Sequence, residues 1–302
     1  MTGKHGPQAG GQRHLTREKT LAALNLVRSG ETIPLNLPLD APPLVDPPRG
    51  RPGLKHIARM HNEVRPIANG RFNVVNDDIV ELSLQASTHW DALAHWGVIE
   101  PGTEGVFFGG AGLSETFPEF GAKTLGIDAL AGGIVTRGVL LDFVRLLEGD
   151  GAAYLQNGHN IGLADVEACL ATYGIELQPG DAVLSYTGFQ HRLDAGDRER
   201  WRAGAPDITS PGLLADTLPI WEAADVFALV SDNPSVEPVP MGEGDLHAGA
   251  LKQLGIYLGE LWALDTLADR CREDGRYDFA LVSIPLNLPG AFGSPANALA
   301  LR

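Results

Sequence analysis

Apolar and polar positions change period several times along the chain, and the changes divide it into strands and helices. Residues 79–87 (IVELSLQAS) carry Val80, Leu82 and Leu84 in alternation with polar neighbours, the pattern of a half-buried strand. Residues 138–144 and 181–187 are short, nearly all-apolar runs, which predict central strands covered on both faces. Residues 226–230 and 278–284 read as further strands. Helical spacing appears over 16–28, stopped by Ser29-Gly30, over 163–173 between Gly162 and Gly174, and over 213–224. Residues 33–52 hold seven prolines and predict an extended stretch wrapping the surface. Residues 97–121 form a glycine-rich loop with Phe107, Phe108, Phe117 and Phe120. Strands and helices alternate without a low-complexity linker, so residues 15–302 are expected to form one α/β domain behind a disordered segment at 1–14.

Composition narrows the partners. The 302 residues include 44% hydrophobic ones, enough for a sizeable core, and carry a formal charge of −15. That balance argues against nucleic acid or an anionic membrane, both of which need clustered Lys and Arg. Two cysteines, Cys169 and Cys271, lie far apart among apolar neighbours and are expected to be buried small hydrophobes in a reducing compartment. No apolar run reaches the roughly 18 residues that span a bilayer. The first 13 residues lack the apolar stretch of a signal peptide. A cytoplasmic protein acting on a small molecule is expected.

The candidate chemistry lies in Ser87-Thr88-His89-Trp90-Asp91-Ala92-Leu93-Ala94-His95. Residues two apart on extended backbone face the same way, so His89 and Asp91 can reach one metal ion. His95 joins them if the chain turns at Ala92. Imidazole nitrogen with carboxylate oxygen suits Zn²⁺ or Mn²⁺. Such an ion activates water for attack on an amide or ester carbonyl. The spacing alone fits equally well two partly buried histidines capping a turn.

The string Gln85 to His95 resembles the HxGTHxDxPxH signature of the cyclase/kynurenine formamidase family, whose superfamily includes isatin hydrolase. Four more segments resemble that family in the same order: residues 136–142 (TRGVLLD), 177–188, 210–213 (SPGL) and 284–295 (IPLNLPGAFGSP). The resemblance implies a single-domain α/β fold of the swivelling β/β/α type, a mixed sheet flanked by helices, in a homo-oligomer (dimer or tetramer) with shared pocket walls. It also implies that His89 and Asp91 bind metal, that His247 and Glu260 complete the ligand set, and that His95 is the catalytic acid/base. Three positions depart from the signature: Gln85 replaces the first histidine, Ser87 the glycine and Leu93 the proline. A glutamine carbonyl still ligates, but more weakly than imidazole, so one or two ions remain open.

Thirteen residues on one straight helix lie about 220° apart around its axis. His247 and Glu260 can therefore share a site only if the helix ends between them, and Gly255 and Gly259 provide the break. Around the motif, Trp90 is a candidate for stacking on a flat substrate and Ser87 for contacting it. Core packing is the ordinary fate of Trp90, Trp96, Phe107 and Phe108. His191 and Ser231-Asp232-Asn233 follow strand ends, where ligands often bind in α/β sheets. His56 and His61 are exposed-loop positions or a lid from a neighbouring subunit, His159 is a loop residue, and His5 and His14 fall in the N-terminal segment. The expected activity is hydrolysis of a C–N amide or lactam bond. The alternatives are a cyclase or dehydratase acting on a polyketide-like substrate, and a metal-free small-molecule binding protein.

Overall fold

In the computed structural model of the chain, the described residues are 10–41, 51–156, 158–205, 207–241 and 244–302. The continuous apolar runs do become the middle of a sheet. β7 (Ile134–Asp142), β8 (Ala182–Tyr186), β9 (Ala228–Ser231) and β10 (Tyr257–Glu260) pair in parallel, and the last three are buried along their whole length. Parallel neighbours need crossovers. These are α2 (Phe143–Glu148) with α3 (Leu163–Tyr173), then α4 (Phe189–Arg192), α5 (Arg198–Arg202) and α6 (Leu218–Ala224), then a π-type helical segment at Ala248–Leu254. α7 (Asp265–Asp274) leads from β10 back across to β11 (Asp278–Ser283).

Antiparallel strands complete both sides. The order is β1-β13-β11-β7-β8-β9-β10-β4-β12, with β1 at Thr32–Pro34, β4 at His89–Asp91, β12 at Gly293–Pro295 and β13 at Ala298–Leu301. The result is the expected single α/β unit with a nine-stranded mixed sheet flanked by helices. One continuous apolar core follows that sheet, from Ile33 and Leu35 through Leu140, Leu184 and Leu229 to Trp90. Cys169 and Cys271 are free and buried in it.

Helix boundaries follow local chemistry. α1 (Arg17–Leu24) starts where the Thr16 hydroxyl accepts the Lys19 N–H at 3.2 Å. α3 ends at Gly174, whose φ of 62° is the left-handed cap geometry. The helix expected from 213 begins later. Leu213 makes an isolated bridge to Ile161, Ala215–Thr217 is a 3-10 turn, and α6 proper opens with Pro219 in its first turn.

Three further expectations change. The strand expected at 79–87 ends at Glu81: β3 (Phe72–Glu81) pairs only with β2 (Lys55–Pro66), in a ribbon outside the main sheet. The apolar alternation marked an exposed hairpin, and a turn closed by Ala86 N–H on Ser83 O separates it from β4. The proline-rich stretch is not all surface wrap, because Thr32–Pro34 adds an edge strand with Ile33 and Leu35 buried. Proline is tolerated there because an edge leaves one side unpaired. Of the N-terminal segment, residues 1–9, His5 included, lie outside the described residues; Gly11–His14 is a 3-10 turn with Gly11 buried and its N–H on Gly255 O at 2.7 Å. The glycine-rich loop carries the short pair β5 (Thr116–Phe117) and β6 (Gly121–Ala122).

Candidate metal centre

β4 is three residues long and decides the site by alternation. His89 and Asp91 face one side of the sheet, and Trp90 faces the other. In the antiparallel pair with β10, His89 stands opposite Glu260 and Trp90 opposite Gly259. Gly259 leaves room for the Trp262 ring, since a Cβ there would come within 2.8 Å of its Nε1. Trp262 in turn donates to His89 O at 3.1 Å. The strand is therefore braced by Trp262 as well as by its pairing with β10.

On the site face, His89 Nε2 lies 3.3 Å from Glu260 Oε2 and 3.5 Å from Asp91 Oδ1. His89 Nδ1 lies 2.8 Å from the Ser87 carbonyl. A carbonyl only accepts, so Nδ1 carries the proton and Nε2 is turned to the carboxylates. After β4 the chain turns, with His95 N–H donating to Ala92 O at 2.8 Å. The turn returns His95 Nε2 to 3.6 Å from Asp91 Oδ1. The His95 side chain is 18% exposed while His89 and Asp91 are fully covered, so His95 stands at the mouth.

His247 arrives from the far side. It caps the helical segment Ala248–Leu254, which closes at Gly255 in the left-handed region before β10 begins. Its Nε2 is 3.1 Å from Glu260 Oε1, so Glu260 gives one oxygen to each histidine. The helix break thus puts His247 and Glu260 on one site.

Electrostatics follow from burial and opposite charge. Burial opposes a charged His89, but Asp91 and Glu260 outweigh it and lift its pKa to about 10. Burial opposes a charged His247 too, and Glu237 and Glu260 raise it to about 10. Glu260 is penalised by burial, yet His247 and His89 hold it below the ordinary carboxylate range. At His95 burial wins over the attraction of Asp91 and Glu260, so its pKa is lowered and the ring is neutral at pH 7.

His89, Asp91 and Glu260 offer ligand atoms all within 4.8 Å of one another, and all three residues are buried. Among the described residues, His89 Nε2 and both Asp91 carboxylate oxygens have no hydrogen-bond partner. A buried carboxylate left unbonded is strongly disfavoured unless a cation or donor meets it. The mixed N/O donor set fits a divalent transition metal.

A family model described as "Putative cyclase" matches residues 32–238. The chain belongs to the cyclase family. A solved structure of a novel cyclase superposes with a TM-score of 0.86 at 32% identity, over 98% of this chain and 96% of the other. Isatin hydrolase A from Labrenzia aggregata, bound to benzyl benzoate, shares the fold at a TM-score of 0.62 and 18% identity, over 94% and 98% of the two chains. Isatin hydrolase A from Ralstonia solanacearum does so at 0.58 and 15%, over 94% and 97%. No curated protein sequence matches the chain.

The remaining candidates of this cyclase-family chain separate cleanly. Gln85 packs against β12: a Cβ on Gly293, the residue of β12 paired with Asp91, would come within 2.6 Å of its Nε2. Trp90 does not offer its ring to a substrate. It is fully buried, edge-on to Trp262 and Phe227, with Nε1 donating to Ser283 Oγ at 2.9 Å, because it occupies the core-facing position of β4. Ser87 likewise turns inward: its hydroxyl donates to Pro38 O at 3.2 Å and its carbonyl orients His89. His191 is half-exposed on α4 and pairs with Asp265 at 3.0 Å, away from the cluster's ligands. Asp232 accepts from Thr187 N–H, Thr187 Oγ1 and Phe189 N–H, which is a structural task at the end of β9. His56 and His61 are exposed on the β2–β3 ribbon, and His159 and His14 face Asp165 and Asp225.

Sequence reasoning missed Glu237, and it assigned Trp96 to core packing without its place beside His247. Glu237 is buried against His247, and the Trp96 ring lies 5.2 Å from the His247 ring. Glu237 carried one signal: it is a lone acid between Val236 and Pro238 in a stretch of small and apolar residues.

Proposed function

We propose that this chain is a metal-dependent hydrolase that cleaves a C–N amide or lactam bond of a small substrate. The observation that carries the reading is the set of buried, unpartnered ligand atoms on His89 and Asp91 beside Glu260. When bound, Zn²⁺ or Mn²⁺ supplies the Lewis acidity that polarises a carbonyl and acidifies water. His89, Asp91 and Glu260 would hold the ion, with His247 at the other oxygen of Glu260 and Gln85 beside Asp91 as further donors. An amide at Gln85 in place of imidazole favours one ion over two. His95, neutral and at the mouth, takes a proton from water and returns it to the leaving nitrogen. Trp96, partly exposed beside His247, supports a flat, aromatic substrate.

The test combines elemental analysis of the purified protein with a screen of amides and lactams, read by product mass. Isatin heads the panel because the fold is shared with isatin hydrolases. Bound metal and a mass gain of one water support the reading. Product without that gain would favour ring closure, the rival suggested by the family's description, and absent metal with no turnover would favour a binding protein.

We also propose that the chain works as a homo-oligomer through the β2–β3 ribbon. Val64 and Phe72 are 60% and 63% exposed, and Ile57, Val74, Ile79 and Val80 are exposed with them. A lone two-stranded ribbon is marginal in water, and a second copy of the chain would cover these side chains.

A further inference from the structure

We infer that Glu237 is a positioning residue for His247, using its two carboxylate oxygens to set which imidazole nitrogen faces Glu260. The functional meaning of this inference rests on the metal-centre reading; its geometry does not. One oxygen of Glu237, Oε2, accepts the backbone N–H of Leu246 at 3.0 Å. The other, Oε1, bonds His247 Nδ1. Nδ1 therefore donates, and Nε2, 3.1 Å from Glu260 Oε1, is the nitrogen presented to the site.

Glu237 is itself held rigidly. Ser235 Oγ donates to its carbonyl at 2.8 Å. Asn233, at the end of β9, accepts from Val236 N–H at 2.6 Å and donates to Pro211 O at 2.5 Å. Gly212 packs directly on the Glu237 carbonyl, where a Cβ would come within 2.3 Å of its carbon. Since β9 pairs with β10, the strand that carries Glu260 also neighbours the strand that anchors Glu237. Both partners of His247 are thus fixed by adjacent strands, and the imidazole is oriented between them. Such outer partners usually set ligand orientation and metal affinity together.

Two donors, Leu246 N–H and His247 Nδ1–H, converge on Glu237, so its place needs two acceptors. A carboxylate has two and a side-chain amide has one. In Glu237→Gln the backbone donor cannot change, so the amide oxygen serves Leu246 and the NH₂ faces Nδ1. In wild type the Nδ1 proton stays bonded to Glu237, and the Nε2 proton, shared with Glu260, is the one given up to a metal. The variant arrangement removes the Nδ1 proton, leaves Nε2–H as the only ring proton and blunts Nε2 as a ligand.

The experiment uses full-length protein labelled with ¹⁵N-histidine, with His247→Gln to assign the signal, and a competitive Zn²⁺ titration against a chromophoric chelator. Wild type is expected to show a proton on His247 Nδ1. Glu237→Gln is expected to lose it and to bind Zn²⁺ roughly 10- to 100-fold more weakly. Glu237→Asp, which keeps two oxygens, should retain the Nδ1 proton and lose less affinity. A wild-type His247 without a proton on Nδ1 overturns the inference even if Glu237→Gln fails to fold. An unchanged proton and affinity in folded Glu237→Gln overturns it as well. Wild type that binds no Zn²⁺ counts against the metal reading instead, and the nitrogen spectra still decide the role of Glu237.

Discussion

Glu260 stands directly across the β10–β4 pair from His89, and the two side chains meet at 3.3 Å on the buried face of the sheet. Cross-strand neighbours of this kind are held by register rather than by loop conformation. His89, Asp91 and Glu260 are therefore fixed by strand pairing, and each of their roles can be separated by substitution.

Asp91→Asn should strip the metal and abolish turnover while leaving the fold. Among the described residues both Asp91 oxygens are buried without a hydrogen bond, so the exchange breaks none and weakens only the charge contacts to His89 and His95 at 3.5 and 3.6 Å. In chelator, its unfolding free energy should match wild type within about 1 kcal/mol, well inside the range of ordinary substitutions. A large loss of stability in chelator would show that Asp91 serves the fold instead.

His95→Ala should divide the functions differently. Its nearest cluster contact is 3.6 Å from Asp91 and it stands at the mouth. Loss of a general acid/base lowers kcat by about 10²- to 10⁴-fold, while metal content should stay at the wild-type level. Metal lost together with activity would make His95 a ligand.

Chelation of wild type should lower Tm. Metal held at about 1,000 times its Kd stabilises by about 4 kcal/mol, which in a chain of this size is a shift on the order of 10 °C. A melting curve unmoved by chelator, in protein shown to contain metal beforehand, would contradict the buried centre.

The pH dependence of folding has a sign set at Asp232. Burial, the largest influence, raises its carboxyl to about 7 against the donors on Thr187 and Phe189. The folded chain holds this proton more tightly than the unfolded chain, whose carboxyl titrates near 4. The contribution is fully present below pH 4 and is lost as pH rises to 7, by at most about 4 kcal/mol. Urea unfolding with chelator should show wild type losing stability relative to Asp232→Asn between pH 4.5 and 7.5. The opposite slope would refute the assignment.

The β2–β3 ribbon predicts an assembly. Phe72→Ser with Val74→Ser removes two apolar side chains exposed on one strand. Light scattering should find wild type oligomeric and the double variant shifted toward monomer. A monomeric wild type would dismiss the ribbon as the contact.

The sequence by itself determined the local facts. Continuous apolar runs marked β7 and β8 because strands covered on both faces tolerate no polar side. The spacing of His89 and Asp91 placed both on one face because a strand repeats every two residues. The same rule put Trp90 on the opposite face, and it lies in the core. What only the tertiary structure decided is which distant residues meet. Val80, Leu82 and Leu84 alternate as a core strand would, yet β3 ends at Glu81 with only Val80 in it and pairs with β2 outside the sheet, since a local pattern does not state its partner. Glu260 joins His89, as the family resemblance implied, because β10 lies between β9 and β4 in the sheet order, which no local pattern states. Glu237 reaches His247 because its loop is tied to the end of β9. Periodicity encodes the direction of a side chain; strand order and register encode what it meets.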